Sequence, residues 1–460
     1  MDVPRFDVLV IGAGPAGSVA ALVLARAGAR VALVDRASFP RDKACGDLVG
    51  PRGVQVLTEL GITVPGAERV GDMVVVGPSG RRVRLPCFPG ATYPGHGLAV
   101  PRARLDALLR QAAIDAGAEP FFGRAGEPVH EDRDLTGFEL DGGRRVLADV
   151  VIGADGSNSG VADAARLVDP RRVLWGFAVR RYVDQAVALP HIVFWEPAPR
   201  RPFPGYGWLF PGPGGRANLG LGLGMGSDRT AAARAARALP AFVHDLGRLG
   251  LLEAEPEPGA AEAPGLLGGW LKMGMAGTTP ARGRVLLVGD AAALVNPLQG
   301  EGIAQAMASG RAAADAVLAG PGGAAERYRD ALVATYGPHQ QAAAAVHARL
   351  IGRPRLLAAA ERALTAAGAR PSVAGGWSIY WNDLLDGALP GRARSVASAA
   401  RRVGRFVALA GGRRGGFLGR PGLPQGERRS SMATLTRRGD VRPGDPVPHR
   451  RAGDRARRPA

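Results

Sequence analysis

Cysteine and lysine are almost absent from this chain of 460 residues, which has only Cys45, Cys87, Lys43 and Lys272. Two thiols are too few for a disulfide framework or a thiolate metal cluster. The seven histidines show no ligand spacing. The sequence therefore predicts no metal site, and no nucleophilic triad stands out. The scarcity of lysine among 59 basic residues indicates a coding bias towards arginine.

Long apolar runs and a leader segment are also lacking. No uninterrupted apolar run reaches the roughly 18 residues that a membrane-spanning helix needs. The first predicted strand begins at about Phe6, which leaves no room for a signal peptide. We therefore expect a cytoplasmic protein.

The net charge of +18 is unevenly distributed along the chain. Residues 411–460 contain 13 arginines and 4 acidic residues, so 13 − 4 = +9, half of the total, lies in one tail. The tail is rich in glycine and proline and poor in large apolar residues, so we expect it to be disordered. Charge concentrated in this way does not indicate nucleic-acid binding, and we predict no nucleic-acid partner.

The segment before the tail, residues 392–410, places apolar residues on one helical stripe with arginines around it. A basic amphipathic helix can lie on an anionic membrane. Peripheral association of the basic C-terminal region with the inner face of the plasma membrane is therefore one interpretation. Packing of this helix against the protein's own fold is the other.

Residues 6–35 have the pattern of a dinucleotide site. A short apolar strand runs directly into the turn Gly-Ala-Gly-Pro-Ala-Gly at residues 12–17. An alanine- and leucine-rich helix follows, then Gly28 as its stop, and a second strand that is closed by Asp35. Asp35 can accept a hydrogen bond from a ribose hydroxyl.

The three glycines of this turn have separate tasks. Gly12 allows the tight turn, Gly14 lets the backbone approach a pyrophosphate, and Gly17 lets the helix pack on the strand. A structural glycine turn is the alternative, but the strand, helix and acid in the expected places favour the dinucleotide site.

Two further buried strands end in aspartate-containing turns. Residues 150–153 lead into Asp155-Gly156, and residues 284–288 lead into Gly289-Asp290, with Gly300-Glu-Gly302-Ile303 at the start of a later helix. In this order and spacing, the three turns resemble the para-hydroxybenzoate hydroxylase-like flavoproteins. The resemblance implies that Asp290 binds the ribityl chain of FAD and that Arg102 lies beside the cofactor. An N-cap is the alternative role for Asp290.

Two segments resemble one branch of that superfamily, the geranylgeranyl reductases, including actinobacterial menaquinone side-chain reductases. One is Phe-Pro-Arg-Asp-Lys-Ala-Cys-Gly-Asp at residues 39–47, and the other is Tyr206-x-Trp208-x-Phe210-Pro, eight residues, then Gly220-x-Gly222. The resemblance covers roughly residues 5–330. It implies reduction of isoprenoid carbon–carbon double bonds by hydride transfer from reduced FAD. The predicted cofactor-binding residues are Gly12, Gly14, Ala16, Gly17, Asp35, Arg36, Cys45, Gly46, Arg102, Asp155, Gly289, Asp290, Gly300, Gly302 and Ile303.

The aromatic and glycine-rich stretch at residues 206–224 reads as two antiparallel strands joined by a turn. A phosphate-binding turn would follow a buried strand and open a helix, and this stretch does neither. Glycine alternates with leucine from 220 to 224, so we expect one strand face without side chains to leave room for a long apolar ligand. The predicted substrate-binding residues are Phe210, Gly220 and Gly222. Close packing of the sheet is the alternative.

The loop around Cys45 has two interpretations. One is a small buried apolar side chain. The other, which the Cys-Gly-Asp context and the resemblance favour, is a position over the flavin ring. The predicted catalytic residues are Cys45, Tyr206 and Trp208. Cys45, or a water beside it, is the candidate proton donor.

Other reactions of the superfamily fit less well. Halogenases have a tunnel lysine and end their aromatic motif in Ile-Pro, whereas here the motif ends Phe210-Pro211 and Lys43 belongs to the Cys45 loop. An FAD-dependent monooxygenase that hydroxylates an aromatic or polyketide-like substrate remains the alternative. No second dinucleotide motif is seen, so the electron donor is open between NADPH and ferredoxin.

The predicted architecture is α/β, or α+β overall. Residues 1–65, 95–165 and 275–335 form a discontinuous, doubly wound Rossmann-like FAD-binding domain. Residues 66–94 and 170–274 form an antiparallel-sheet substrate domain. Residues 340–410 are expected to be helical, and 411–460 to form the disordered basic tail.

Overall fold

The computed structural model describes residues 4–85, 94–197, 203–253, 265–351 and 353–366. Cys87, the predicted amphipathic helix at 392–410 and the basic tail lie outside these residues. The strands are β1 Arg5–Ile11, β2 Val31–Asp35, β3 Leu48–Val49, β4 Glu68–Val70, β5 Met73–Val76, β6 Arg82–Leu85, β7 Gly97–Ala99, β8 Glu119–Phe122, β9 Ala125–Glu131, β10 Asp134–Leu140, β11 Arg145–Gly153, β12 Leu174–Val183, β13 His191–Val193, β14 Gly205–Gly212, β15 Arg216–Met225, β16 Leu267–Met273, β17 Ala281–Arg282 and β18 Val285–Leu287. The helices are α1 Pro15–Arg26, α2 Pro51–Glu59, α3 Arg102–Asp115, α4 Gly160–Ala164, α5 Ala233–Arg248, α6 Ile303–Leu318, α7 Ala324–Ile351 and α8 Pro354–Leu364.

An eight-stranded sheet carries the nucleotide-type turns. Its main path is β17-β18-β11-β1-β2-β8, and β10 and β9 extend from β11. The strand pairs β18/β11, β11/β1, β1/β2 and β2/β8 are parallel. The middle of β1 is continuously buried, as expected for a parallel strand covered on both faces. Helices α1 and α6 pack closely, with Gly310 against the backbone of Ala16. The predicted α/β class is confirmed.

A second sheet of seven strands has the order β16-β12-β15-β14-β13-β5-β6. Its described pairings are antiparallel except for β13 with β5. The hairpin β14–β15 turns at Pro213–Gly215, so the expected pair of strands is confirmed. A small third sheet, β3-β7-β4, lies at the side. The predicted domain boundaries remain a prediction.

The two faces of the seven-stranded sheet differ because side chains alternate along each strand. Leu219, Leu221 and Leu223 point to the face that packs with Phe242 and Leu246 of α5. The other face holds a separate apolar cluster, which consists of Met73, Val75, Val83, Leu85, Ile192, Trp208 and Phe210. This second face lies towards the loop that contains Cys45.

Helix α7 packs against β17 and β18 of the first sheet and against β15 of the second, and α8 follows it. Gln340 in α7 donates to the carbonyl of Leu294 at 3.0 Å, and Arg362 in α8 pairs with Glu196 at 2.7 Å. Residues 340–366 are helical apart from a break near 353 and the end at Thr365. None of the described helices combines the length and apolar character that crossing a membrane requires.

Candidate functional site

The turn between β1 and α1 has the close packing that its glycines predict. Gly12 has a φ of +104°, and a side chain there would overlap the carbonyl of Ala154. A side chain at Gly17 would overlap the carbonyl of Gly12. The turn can therefore hold this shape only with glycine at both positions.

The start of α1 fits a phosphate group. Gly14 is the N-cap and receives no side-chain hydrogen bond, Pro15 follows it, and Ala16 and Gly17 belong to the first turn, whose N–H groups have no helical acceptor. A side chain at Gly14 would meet, among the described atoms, Nη2 of Arg41 at 3.7 Å. Free amide groups, a helix N-terminus and a nearby guanidinium together suit an anion such as the FAD pyrophosphate.

Asp35 closes β2 beside this turn. One carboxylate oxygen accepts from Ala13 N at 2.7 Å, and the other accepts from Ala37 N at 2.8 Å. Each carboxylate oxygen has further acceptor capacity, so Asp35 can hold the turn and still accept from a ribose hydroxyl. The neighbouring Arg36 is exposed.

The Asp155-Gly156 turn is stabilised by its own aspartate. Asp155 accepts from the Ser159 hydroxyl at 2.5 Å and from Val161 N at 3.2 Å. Burial raises the pKa of Asp155, against the hydrogen bonds from Ser159 and Val161. The Ser157 hydroxyl lies 3.0 Å from Asp290 and 2.6 Å from the Trp270 carbonyl. The second and third turns are therefore joined through Ser157.

Asp290 lies in a short 3-10 helix, Gly289–Ala292, beside the N-terminus of α6. Gly289 has a φ of +58° and donates its N–H to Ser309 Oγ at 2.9 Å. A side chain at Gly302, the N-cap of α6, would lie 3.5 Å from Asp290 Oδ1. Lys43 Nζ is 3.8 Å from Asp290 Oδ2. Asp290 is thus a partly buried carboxylate between the start of a helix and a lysine, placed to accept from hydroxyl groups.

Lys272 adds a buried cation to this region, and sequence reasoning missed it. Only 2% of the residue is exposed. Burial lowers the pKa of Lys272, and the charges of Asp163, Asp155 and Asp290 oppose that shift. Little in the sequence indicated that Lys272 belongs to the site, because it lies in β16, about a hundred residues from the Asp155-Gly156 turn.

Arg102 is held by its own helix and lies beside the Cys45 loop. Its Nε and Nη2 donate to the two oxygens of Asp106, each at 2.7 Å. Burial acts to lower the pKa of Arg102, but the charge of Asp106 and its hydrogen bonds, with Cys45 next, raise it overall. Arg41 also pairs with Asp106, at 2.8 Å.

The Cys45 loop contacts the aromatic strand directly. A side chain at Gly46 would lie 2.9 Å from the Phe210 ring and 3.6 Å from Trp208 Nε1. The rings of Trp208 and Phe210 stack with centroids 6.2 Å apart. The structure therefore brings Cys45 and Gly46 close to Trp208 and Phe210, and the two pairs are more than 150 residues apart in the sequence.

Tyr206 connects the aromatic strand to the loop before α6. Its hydroxyl donates to the carbonyl of Gln299, and a side chain at Gly300 would lie 3.0 Å from that hydroxyl. Burial raises the pKa of Tyr206, and the charges of Glu301 and Cys45 raise it further. Tyr206 is therefore a protonated phenol at neutral pH.

Of the three alternating glycines, only Gly222 could carry a side chain without overlap. The indole of Trp208 fills the space over Gly220, and His347 and Ile351 of α7 fill the space over Gly224. Over Gly222 a side chain would make ordinary contacts, 3.5 Å to the Trp208 ring. The prediction of ligand space at Gly220 is wrong, because the Trp208 indole of the adjacent strand occupies the space that a side chain at Gly220 would take.

A group of buried polar residues beneath the Cys45 loop was also missed. Asp47, 2% exposed, accepts from the Tyr182 hydroxyl and from Asn218 Nδ2 at 2.9 Å. Arg180, 1% exposed, pairs with Asp42. Asp47 was visible in the Cys-Gly-Asp run. Its partners on β12 and β15 gave no local signal because they reach it across the sheet.

Metal binding has no support in the described residues. No group of three or more histidine, cysteine, aspartate or glutamate side chains there could hold an ion. Cys45 is a free thiol.

Comparison with known proteins agrees with the geometry. Residues 5–171 match a family described as an FAD binding domain. A menaquinone reductase of Mycolicibacterium smegmatis is 38% identical over 326 residues, which cover 69% of this chain and 77% of that protein. A geranylgeranyl diphosphate reductase of Rhodobacter capsulatus is 31% identical over 341 residues, covering 68% of this chain and 75% of that protein.

The fold is shared with a solved structure. A geranylgeranyl bacteriochlorophyll reductase-like protein from Thermoplasma acidophilum superposes with a TM-score of 0.63 at 20% identity, covering 90% of this chain and 100% of that one. The solved structure shows a shared fold, and the sequence similarity to the two reductases shows the family: the chain belongs to the geranylgeranyl reductase family of FAD-dependent flavoproteins.

Proposed function

We propose that the protein is an FAD-dependent reductase of isoprenoid carbon–carbon double bonds. The observation that carries the proposal is the meeting of the Cys45 loop with the aromatic strand beside the three nucleotide-type turns. Relatives at 38% and 31% identity are named menaquinone reductase and geranylgeranyl diphosphate reductase. Both names describe proteins that act on molecules with polyprenyl chains, and this supports an isoprenoid lipid as substrate.

The residues present fit FAD. The free N-terminus of α1 around Gly14 suits the pyrophosphate, Asp35 a ribose hydroxyl, and Asp290 the ribityl hydroxyls. Bound FAD would supply a hydride after its reduction. The chain itself must then bind the alkene, exclude water and deliver a proton.

Proton delivery falls to the side chains at the loop and the aromatic strand. A trisubstituted alkene is not polarised, and protonation of its less substituted carbon gives a tertiary cation that can accept a hydride. Burial raises the pKa of Cys45, and the nearby charges of Arg102 and Asp47 act in opposite directions. Cys45 Sγ therefore keeps its proton near neutral pH and can donate it. The buried phenol of Tyr206 is the second group able to do so.

The apolar character of this sheet face supports a hydrocarbon substrate. Met73, Val75 and Ile192 extend the surface formed by Trp208 and Phe210. Gly222, with space above it, lies opposite Tyr206 on the paired strand. An isoprenoid chain at Gly222 would contact aromatic rings and exclude water from the alkene.

Finer points of the function rest on sequence alone. The sequence contains no second dinucleotide motif, so NADPH would bind transiently, and ferredoxin or another donor is equally open. The basic C-terminal region would attach the protein to an anionic membrane, where polyprenyl lipids reside.

The decisive experiment is anaerobic turnover. Enzyme reduced with dithionite is mixed under argon with menaquinone, and separately with a geranylgeranyl lipid. The products are re-oxidised in air before mass measurement, because dithionite also reduces the quinone ring to the quinol. We then expect a mass gain of about two units for each reduced alkene, since each reduction adds two hydrogens, and a slower reaction in Cys45→Ser. No mass gain on either substrate, together with oxygen uptake that depends on an aromatic substrate in air, would replace the reductase with the monooxygenase.

A further inference from the structure

Asn218 occupies the centre of the contact between the Cys45 loop and the seven-stranded sheet. It lies in β15, pairs with Phe210 on one side and Tyr182 on the other, and is fully buried. A buried amide is costly unless its polar atoms are bonded. Its partners are therefore informative.

Both ends of the Asn218 amide are used. Its Oδ1 accepts from Trp208 Nε1 at 2.9 Å, and its Nδ2 donates to the Cys45 carbonyl at 2.8 Å and to Asp47 Oδ2 at 2.9 Å. An indole N–H can only donate, and a carbonyl oxygen can only accept. These partners fix the orientation of the amide.

Asp47 extends this contact to two further elements. It also accepts from the Tyr182 hydroxyl of β12 and from the backbone N–H of Arg102 in α3, at 3.3 Å. Its backbone has a φ of +59°, in the left-handed region. The loop therefore turns sharply immediately after Gly46, and the Asp47 carboxylate is bonded to both β12 and α3.

We propose that Asn218 is a positioning residue of the reductase: it fixes the backbone turn that carries Cys45 relative to the indole of Trp208. The inference rests on the proposed function. Asn218 reaches the Cys45 turn through the backbone carbonyl and reaches Trp208 through the ring nitrogen, so one side chain sets the separation of two predicted catalytic residues. The backbone of Cys45 keeps its place relative to Trp208 only while these bonds persist.

Asn218→Asp tests the donor end of the amide. The new carboxylate would face Asp47 and the Cys45 carbonyl, which both need a donor. Ionised, it repels them; protonated, it donates to one of them. The other charged and titratable groups near Asp47 are Tyr182, Arg180 and Arg102, with Cys45 on the same loop; Asp42 and Asp106 pair with the two arginines.

We expect prenyl reduction by Asn218→Asp to fall about 100-fold at pH 8, as for a displaced catalytic group, and to recover partly at pH 6. The variant should keep its FAD. The matched control is Gln111→Glu, an amide-to-carboxylate change on the exposed face of α3, which should leave the pH profile unchanged. A pH profile of Asn218→Asp that parallels the wild type would overturn the proposal.

A second measurement does not depend on turnover. Cys45 is alkylated with iodoacetamide and its modification is followed by peptide mass mapping, which separates it from Cys87. Loss of the Asn218 bonds should speed alkylation about fivefold, and Asn218→Ser gives the same comparison if the aspartate variant fails to fold. Equal rates in wild type and variants would contradict the positioning role. If the wild type does not reduce prenyl lipids but the variants are still alkylated faster, the proposed function is rejected and the positioning of Cys45 by Asn218 is retained.

Discussion

Individual carboxylates in this protein have different tasks that their positions explain. Asp155 is used by its own turn, where Ser159 and Val161 donate to it. Asp290 lies beside the N-cap of α6, with Lys43 3.8 Å away and Ser157 within 3.0 Å. Because the carboxylate of Asp155 is already bonded within its own turn, Asp290 is the better acceptor for cofactor hydroxyls.

Replacement of Asp290 by alanine should weaken FAD retention. A hydrogen bond to a charged group contributes about 1.5–3 kcal/mol, so we expect an increase in the FAD dissociation constant of roughly 10- to 100-fold. Flavin content after dialysis and fluorescence titration of the apoprotein measure this. Asp315→Ala, a change at an exposed aspartate of α6, is the control. Unchanged FAD affinity in Asp290→Ala would remove this residue from the cofactor site.

The hairpin β14–β15 is the element that joins the two halves of the site. Its outward face carries Tyr206, Trp208 and Phe210 opposite Gly222, Gly220 and Asn218. Because cross-strand neighbours share a face, the aromatic motif and the glycine motif form one surface. The glycines have unequal tasks: Gly220 accommodates the Trp208 indole, and Gly222 leaves space beside it.

This difference predicts opposite outcomes at two glycines of one strand. Gly222→Leu should leave the fold and FAD binding intact but slow the oxidation of reduced flavin by a prenyl substrate, because the leucine fills the space beside Trp208. Gly220→Ala should lower stability by about 1–3 kcal/mol, since its methyl group overlaps a packed indole. Anaerobic stopped-flow and thermal unfolding measure the two effects. Normal substrate oxidation in Gly222→Leu would contradict a chain path over Gly222.

At the scale of the whole molecule, much of the net positive charge lies in a different part of the sequence from the candidate site. The described site contains buried and paired charges, such as Arg102 with Asp106. Half of the net charge of +18 belongs to residues 411–460. A basic segment attracts anionic lipid, and this attraction weakens beyond a Debye length of about 8 Å at physiological ionic strength.

Binding to anionic vesicles should therefore depend on residues 411–460 and on salt. We expect the full chain to co-sediment with vesicles of phosphatidylglycerol and phosphatidylcholine at low salt and to dissociate at about 0.5 M salt, where screening is stronger. A variant that ends at residue 410 should bind less while keeping its FAD. Vesicle binding that is equal in both proteins would leave the tail without a membrane role.

The local sequence determined the parts that depend on neighbours in the chain. The strand, glycine turn and helix at 5–26, the hairpin at 205–225 and the family all follow from short segments whose spacing restricts the backbone. The meeting of Cys45 with Trp208, the filling of Gly220, and the bonds of Asn218, Asp47 and Lys272 were decided by tertiary structure. The bonds from Asn218 to Cys45 and Asp47 join residues more than 170 positions apart. Trp208 lies only 12 positions from Gly220, but which side chain fills that gap depends on side-chain packing and not on the local pattern. A sequence motif determines which side chains are present, and the packing of the two sheets determines which of those side chains are in contact.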